Sequence, residues 1–146
     1  PVSVSKQKRT GNILKSRYVK IVYEDQWLVV IEKNVGILSM AGGHRSLNVT
    51  AVLDDYFEKS RQRCRAHVVH RLDRDTSGLM VYAQEPILEH NWHDIVYDRR
   101  YVALLSGVME QDNGTMTSWL KDNSAYITYS SPVDNGGKYA VTHFRT

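Results

Sequence analysis

The sequence predicts an α+β domain with a mixed, largely antiparallel sheet and flanking helices. Three observations carry that expectation. Short β-branched or aromatic runs outnumber helical patterns, several neighbouring runs are joined by short turns, and helical periodicity is confined to two stretches. A doubly wound fold would instead alternate strand and helix throughout.

Residues 1–17 are polar and basic with little periodicity, so a tail or linker is expected over 1–19, before a domain spanning 20–146. Ile21-Val22-Tyr23 and Trp27-Leu28-Val29-Val30-Ile31, broken by Glu24-Asp25-Gln26, read as two strands and a turn. A Gly-rich loop follows at Ala41-Gly42-Gly43-His44. From Leu47 to Phe57 the apolar positions Val49, Val52, Leu53, Tyr56 and Phe57 repeat with helical spacing, and Ser46 is the expected cap. His67–Val69 and Leu79–Ala83 read as strands. Pro86 suits the first turn of a second helix with Ile87, Leu88, Trp92, Ile95 and Val96 on its apolar face. Four further strands are expected at Tyr101–Val108, Thr115–Leu120, Ala125–Ser130 and Tyr139–Phe144. The turn sequences Asp112-Asn113-Gly114 and Asp134-Asn135-Gly136-Gly137 punctuate them.

With 146 residues, 42% hydrophobic and 24% charged, the chain has the composition of an ordinary globular domain. Its net charge is +3 with a pI near 9.0, and the basic residues cluster. One group is Lys6, Lys8, Arg9, Lys15, Arg17 and Lys20; a second is Arg61, Arg63 and Arg65; a third is Arg71, Arg74, Arg99 and Arg100. Such clusters suit a polyanion, because each neutralised phosphate releases a condensed counterion; a solvated basic face is the alternative. A single cysteine, Cys64, rules out an internal disulfide and a Cys-based zinc site, and points to a reducing compartment. No apolar run approaches the roughly 20 residues that span a bilayer. The chain opens on Pro1 and closes on an alternating stretch, Ala140 to Thr146, with no turn or cap, so it is expected to be part of a longer polypeptide.

The chemistry concentrates between His67 and Ala83, where strand-like sequence enters the charged knot Arg71-Leu72-Asp73-Arg74-Asp75 and returns to strand. His67 and His70 are three apart, which on a strand sends them to opposite faces, so a zinc site with Asp73 is disfavoured. His67 reads better as a core or sheet-edge histidine, and His70 is placed to orient the following loop through hydrogen bonds. Ser77 lies in Thr76-Ser77-Gly78, which is not the Gly-x-Ser-x-Gly elbow and leads into a strand. A local hydroxyl-to-backbone turn accounts better for Thr76 and Ser77, with Gly78 allowing close backbone approach. No phosphate loop or dinucleotide fingerprint is present. Neighbouring guanidinium groups from Arg71 and Arg74 would hold Asp73 ionised in a partly desolvated cleft, where a carboxylate can act as a nucleophile. An ion-paired loop is the structural alternative.

The run His70-Arg71-Leu72-Asp73-Arg74-Asp75-Thr76-Ser77-Gly78-Leu79-Met80 resembles the His-Arg-Leu-Asp-x-x-Thr-Ser-Gly-Leu signature of the RluA family of pseudouridine synthases. Tyr23 to Gly36 is similar to that family's opening strands, which usually end Lys-Pro-x-Gly. Tyr101-Val102-Ala103-Leu104-Leu105-Ser106-Gly107 resembles its Tyr-x-Ala-x-x-x-Gly strand, and Gly114 to Phe144 its later hairpins. The resemblance covers about residues 20–146 and implies the fold of a pseudouridine synthase catalytic domain.

It also implies an isomerase. Asp73 matches the catalytic aspartate, which attacks the target uridine so that uracil can detach, turn and rejoin the ribose through carbon 5. Tyr101 matches the tyrosine that lies against the base and is a candidate for proton transfer. Arg71 matches an arginine that fills the gap left by the flipped nucleotide in some members. His70, Arg74, Thr76 and Ser77 are grouped with Arg71 as substrate-binding. The implied partner is ribosomal or transfer RNA, with no cofactor, no metal, no nucleotide cofactor and no membrane, in a cytoplasmic protein that is a monomer when complete. Asn34 stands where the family usually has proline, and Arg99-Arg100-Tyr101 replaces a common Lys-x-Tyr. A later family motif carries an arginine that pairs with the catalytic aspartate. The chain stops before it, and Arg145 precedes the expected place, so a carboxy-terminal truncation is expected. The alternative is a non-catalytic RNA-binding domain of the same fold, with a His/Asp metal hydrolase far behind.

Overall fold

The computed structural model describes residues 14–41, 46–85 and 98–146. Two compact units divide the chain, Pro1–Arg99 and Arg100–Thr146.

In the first unit, strands β1 (Val19–Glu24) and β2 (Leu28–Lys33) form the expected hairpin. Its turn closes on Asp25, whose Oδ1 accepts the N–H groups of Trp27 and Leu28, each at 2.8 Å. After helix α1 (Val49–Lys59) come the two-residue strand β3 (His67–Val68) and β4 (Gly78–Ala83). The sheet order is β1-β2-β4-β3, with every pairing antiparallel. Val29, Ile31 and Lys33 alternate onto one buried face of β2, and Met80 and Tyr82 do the same on β4. Against these side chains pack Val49, Leu53, Tyr56 and Phe57 of α1, together with Ile37 and Leu72 from the loops. Each fully buried side chain of this size contributes about 1.5–3 kcal/mol.

The ends of α1 show how tertiary context moves a boundary. The cap is Asn48, not Ser46: Asn48 Oδ1 accepts the Ala51 N–H at 2.9 Å. Val49 N–H donates to the Leu38 carbonyl at 2.8 Å, Asn48 is extended, and Leu47 is exposed. Asparagine caps as well as serine, so a single long-range bond shifts the helix start. At the other end, Arg61 N–H bonds the Glu58 carbonyl and Gln62 N–H bonds the Phe57 carbonyl, with Arg61 left-handed at φ 59°. This is a Schellman closure with arginine where glycine is usual. The expected second helix from Pro86 and the Gly42–His44 loop lie outside the described residues.

The second unit holds β5 (Asn113–Asp122), β6 (Thr128–Ser131) and β7 (Lys138–Arg145), in the antiparallel order β6-β5-β7. Three expectations are corrected here. Tyr101–Val108 is not a strand, because among the described residues nothing pairs with its backbone. Asn113 and Gly114 open β5 instead of forming a turn: they pair with Arg145 and Phe144, so long-range pairing overrides local turn preference. A Cβ on Gly114 would stand 2.8 Å from the Phe144 ring, so glycine serves close packing there. Finally, β6 starts only at Thr128, since Asn123 Oδ1 accepts the N–H groups of Ala125 and Ile127 and shapes a turn with Tyr126 at φ 60°. The paired strands are antiparallel throughout, and the parallel contact among the described residues is the isolated Leu38–Asn48 bridge. The α+β class stands.

Candidate active site

Asp73 lies on the loop between β3 and β4, and the structure builds that loop from below. Lys33 ends the buried face of β2 and is completely buried. Its Nζ donates to three carbonyls: Thr76 at 2.8 Å, Asn34 at 3.1 Å and Arg74 at 3.3 Å. An ammonium has three N–H donors, so each has a partner. Gly36 N–H donates to the same Arg74 carbonyl at 2.8 Å. Ser39 grips the loop further back. Its hydroxyl donates to the Leu72 carbonyl at 2.5 Å and accepts the Leu72 N–H at 3.0 Å. Its own carbonyl accepts from the Tyr82 hydroxyl at 2.7 Å, and burial pushes that phenol far up from its ordinary value.

With Leu72 buried and the Arg74 and Thr76 carbonyls pinned, the side chains of Arg71, Asp73, Arg74, Asp75 and Ser77 are left exposed, and Thr76 is half-buried. The loop turns through a backbone bond, Thr76 N–H to the Asp73 carbonyl at 3.1 Å. That replaces the expected hydroxyl-to-backbone turn of Thr76 and Ser77. Gly78 sits at φ 144°, a conformation side chains rarely adopt, while a Cβ there would meet Leu72 only at an ordinary 3.6 Å. Conformation, rather than close approach, calls for glycine at this point.

The electrostatics also differ from expectation. Among the described residues no ion pair joins Arg71 or Arg74 to Asp73 or Asp75. The nearby cation is Lys33. Burial lowers its pKa, and the charges of Asp75 and then Asp73 pull it back up.

His70 is expected to orient the following loop through hydrogen bonds; among the described residues its ring bonds β4 instead. Val81 N–H donates to Nε2 at 3.1 Å. An acceptor at Nε2 puts the proton on Nδ1 of the neutral ring, and Nδ1 is buried with no hydrogen-bond partner among the described residues. Burial, and then the charge of Arg99, lowers the pKa of His70. His67 is half-buried in β3. Tyr101 belongs to the second unit, where it is 60% exposed. Among the described residues no group of three or more His, Cys, Asp or Glu side chains is placed to hold a metal ion.

Sequence reasoning missed Lys33 and Ser39 as site residues. Lys33 had a usable signal, a charged residue in the buried phase of a strand beginning Val29, Ile31. Ser39 had none, because its partner is 33 residues away.

A family model described as RNA pseudouridylate synthase matches residues 27–146. The chain is 33% identical over 129 residues to a Bacillus subtilis protein named uncharacterized RNA pseudouridine synthase YjbO, covering 85% of this chain and 45% of that protein. It is 33% identical over 132 residues to the ribosomal large subunit pseudouridine synthase D of Nitrosomonas europaea, covering 87% and 38% respectively. Among solved structures, human RNA pseudouridylate synthase domain containing 4 shares the fold at a TM-score of 0.58 and 20% identity, over 84% of this chain and 51% of that one. The chain thus spans less than half the length of these curated relatives. With the signature loop, the α+β fold and a family match over most of its length, the chain belongs to the RluA-type family of RNA pseudouridine synthases.

Proposed function

We propose that this chain is the catalytic part of an RNA pseudouridine synthase, with residues 20–146 contributing the domain that isomerises a uridine and Asp73 acting as nucleophile. The observation that carries the reading is the loop itself: an exposed carboxylate on a backbone clamped by buried Lys33 and Ser39. A nucleophile gains most from a fixed approach, since holding reactants in place removes much of the entropic barrier. In the reaction the glycosidic carbon–nitrogen bond breaks, a carbon–carbon bond to C5 forms, and the C5 proton is exchanged for one on the freed nitrogen. Substrate and product are isomers, so the balance requires no redox equivalent. Tyr101 is the candidate to stack on the base and move the proton, and Arg71 to fill the space of the extruded nucleotide. His70, Arg74, Thr76 and Ser77 are assigned with Arg71 to substrate binding. Extruding the base costs a few kcal/mol, which protein contacts must offset.

The names of the relatives, several of them ribosomal large subunit enzymes, favour ribosomal over transfer RNA as substrate. The same reading makes the complete protein a cytoplasmic monomer. The test is Asp73→Asn in the complete protein, assayed under single-turnover conditions on ribosomal RNA. Pseudouridine formation is expected to vanish while RNA affinity stays within a few-fold, and Asp75→Asn should be much milder. Turnover surviving in Asp73→Asn would reject the nucleophile. Wild-type RNA binding without any turnover would favour a non-catalytic RNA-binding domain.

A further inference from the structure

Between α1 and β3, residues 61–66 alternate between outward and inward side chains. Arg61, Arg63 and Arg65 are exposed, while Gln62 and Cys64 are half-buried and Ala66 is buried. Every second residue anchors the segment. Gln62 N–H bonds the Phe57 carbonyl at 2.8 Å, and its Nε2 donates to Glu24 at 2.7 Å. The Cys64 thiol reaches Gln84 Oε1 at 3.5 Å. Ala66 N–H donates to Asp54 at 2.8 Å. Three guanidinium groups therefore project from a backbone tied to α1, β1 and the end of β4.

Two further facts separate this strip from an ordinary solvated edge. Among the described residues no ion pair reaches Arg61 or Arg63, and Arg65 has only a loose one, 3.7 Å to Asp54, with its side chain 81% exposed. Arg61 also occupies a left-handed position, φ 59°, where glycine would be easier by roughly 1 kcal/mol. The fold thus keeps a strained arginine and leaves its charge unneutralised. Arg63 and Arg65 alternate outward after the turn at Arg61, and two residues of extended chain advance about 6–7 Å, enough for neighbouring groups to take separate anions.

We propose that Arg61, Arg63 and Arg65 form a strip on a fixed backbone that grips the RNA backbone several nucleotides away from the target. The strip stands at the Ala83 end of the sheet and β3 runs from it toward the Asp73 loop at the Gly78 end, so RNA held along it lies the length of β4 away from the reacting position. The proposal rests on the reading of the chain as an RNA pseudouridine synthase. The planar guanidinium fork loses less entropy per hydrogen bond formed than a lysine ammonium does, and contacts to phosphate carry affinity but no sequence information.

The test measures binding of a uridine-containing single-stranded RNA to the purified protein across a salt series, beside a single-turnover assay of the complete protein. The variants replace all three arginines with glutamine or all three with lysine, and their folding is checked by thermal melting. The glutamine variant is expected to lower the slope of log affinity against log salt by about 2, at roughly 0.7 per lost phosphate contact. The lysine variant should keep most of the slope. At saturating RNA, turnover by the glutamine variant should match wild type, with the RNA requirement raised. An unchanged slope in the glutamine variant overturns the strip, even if pseudouridine still forms. The expected slope change in a protein that makes no pseudouridine leaves the strip standing and removes the functional reading. Wild-type RNA binding by the glutamine variant, with lost binding to poly-glutamate, would reassign the strip to an acidic protein and overturn the proposal.

Discussion

In the unit ending at Arg99, Val29, Ile31, Leu53, Phe57 and Met80 are fully buried, whereas in the unit beginning at Arg100 the large apolar residues Met116, Tyr139 and Val141 remain about half exposed. Both units have well-registered antiparallel strands. The second even has a favourable cross-strand aromatic pair, Trp119 and Tyr139, with ring centroids 5.2 Å apart. What the first unit has in addition is α1, a second layer laid over one face of its sheet. Backbone pairing alone makes a sheet, but a core needs a layer to cover it. The Asp73 loop is attached to the unit with the core, and its carbonyls can be pinned there because Lys33 extends the row of Val29 and Ile31.

The largest expected effect tests that contrast directly. Leu53→Ala should destabilise the chain by about 2–5 kcal/mol, since it opens a cavity in the packed face. Val141→Ala, at a half-exposed site on β7, should shift stability by no more than about 0.5 kcal/mol. Denaturant melts of both variants decide it, and equal losses would erase the distinction between the units.

Lys33→Met comes next. It fills similar space but removes the Nζ donor to the Asn34 and Thr76 carbonyls, and leaves the Arg74 carbonyl with Gly36 N–H alone. A loss of about 3 kcal/mol is expected from buried acceptors left without partners, partly offset by no longer burying a charge. Turnover at a temperature where the variant remains folded should fall further than RNA affinity. Undiminished turnover would mean that the clamp supports the fold alone.

A smaller effect concerns acid. The His70 pKa is lowered, by burial and then by Arg99, from an ordinary value of about 6.5. As pH falls below that value the unfolded chain takes up the proton first. The stability that rests on neutral His70 is therefore whole above about pH 6.5, and drains away as pH drops toward the lower folded value. Melting temperatures at pH 7.5 and 5.5 should differ less in His70→Gln than in wild type, because Gln can accept from Val81 N–H without titrating. An equal difference would place the acid sensitivity elsewhere.

The smallest is a gain. Arg61→Gly should stabilise the first unit by about 0.5–1 kcal/mol, by relieving the left-handed residue at the end of α1. A loss on melting would show that the Arg61 side chain supports the fold.

Much of this architecture was legible in the residues. β-branched and aromatic runs found β1, β2 and β4, helical spacing found the face of α1, and the His70–Met80 run identified the family and singled out Asp73. These are local signals, because such runs and signature motifs are carried by neighbours along the chain. Four features were decided elsewhere. Asn48 caps α1 where Val49 N–H reaches the distant Leu38 carbonyl. Asn113 and Gly114 are strand because Arg145 and Phe144 pair with them. Tyr101–Val108 carries strand-like sequence but has no pairing partner among the described residues, and a strand exists only through its neighbour. The Asp73 loop takes its cation from Lys33, 40 positions earlier, and not from the adjacent arginines whose charge was so visible. Sequence by itself determined which segments could be strand or helix and which carboxylate to watch. Tertiary structure alone decided what each backbone group bonds and which charge lies beneath that carboxylate, because both depend on residues brought together from distant parts of the chain.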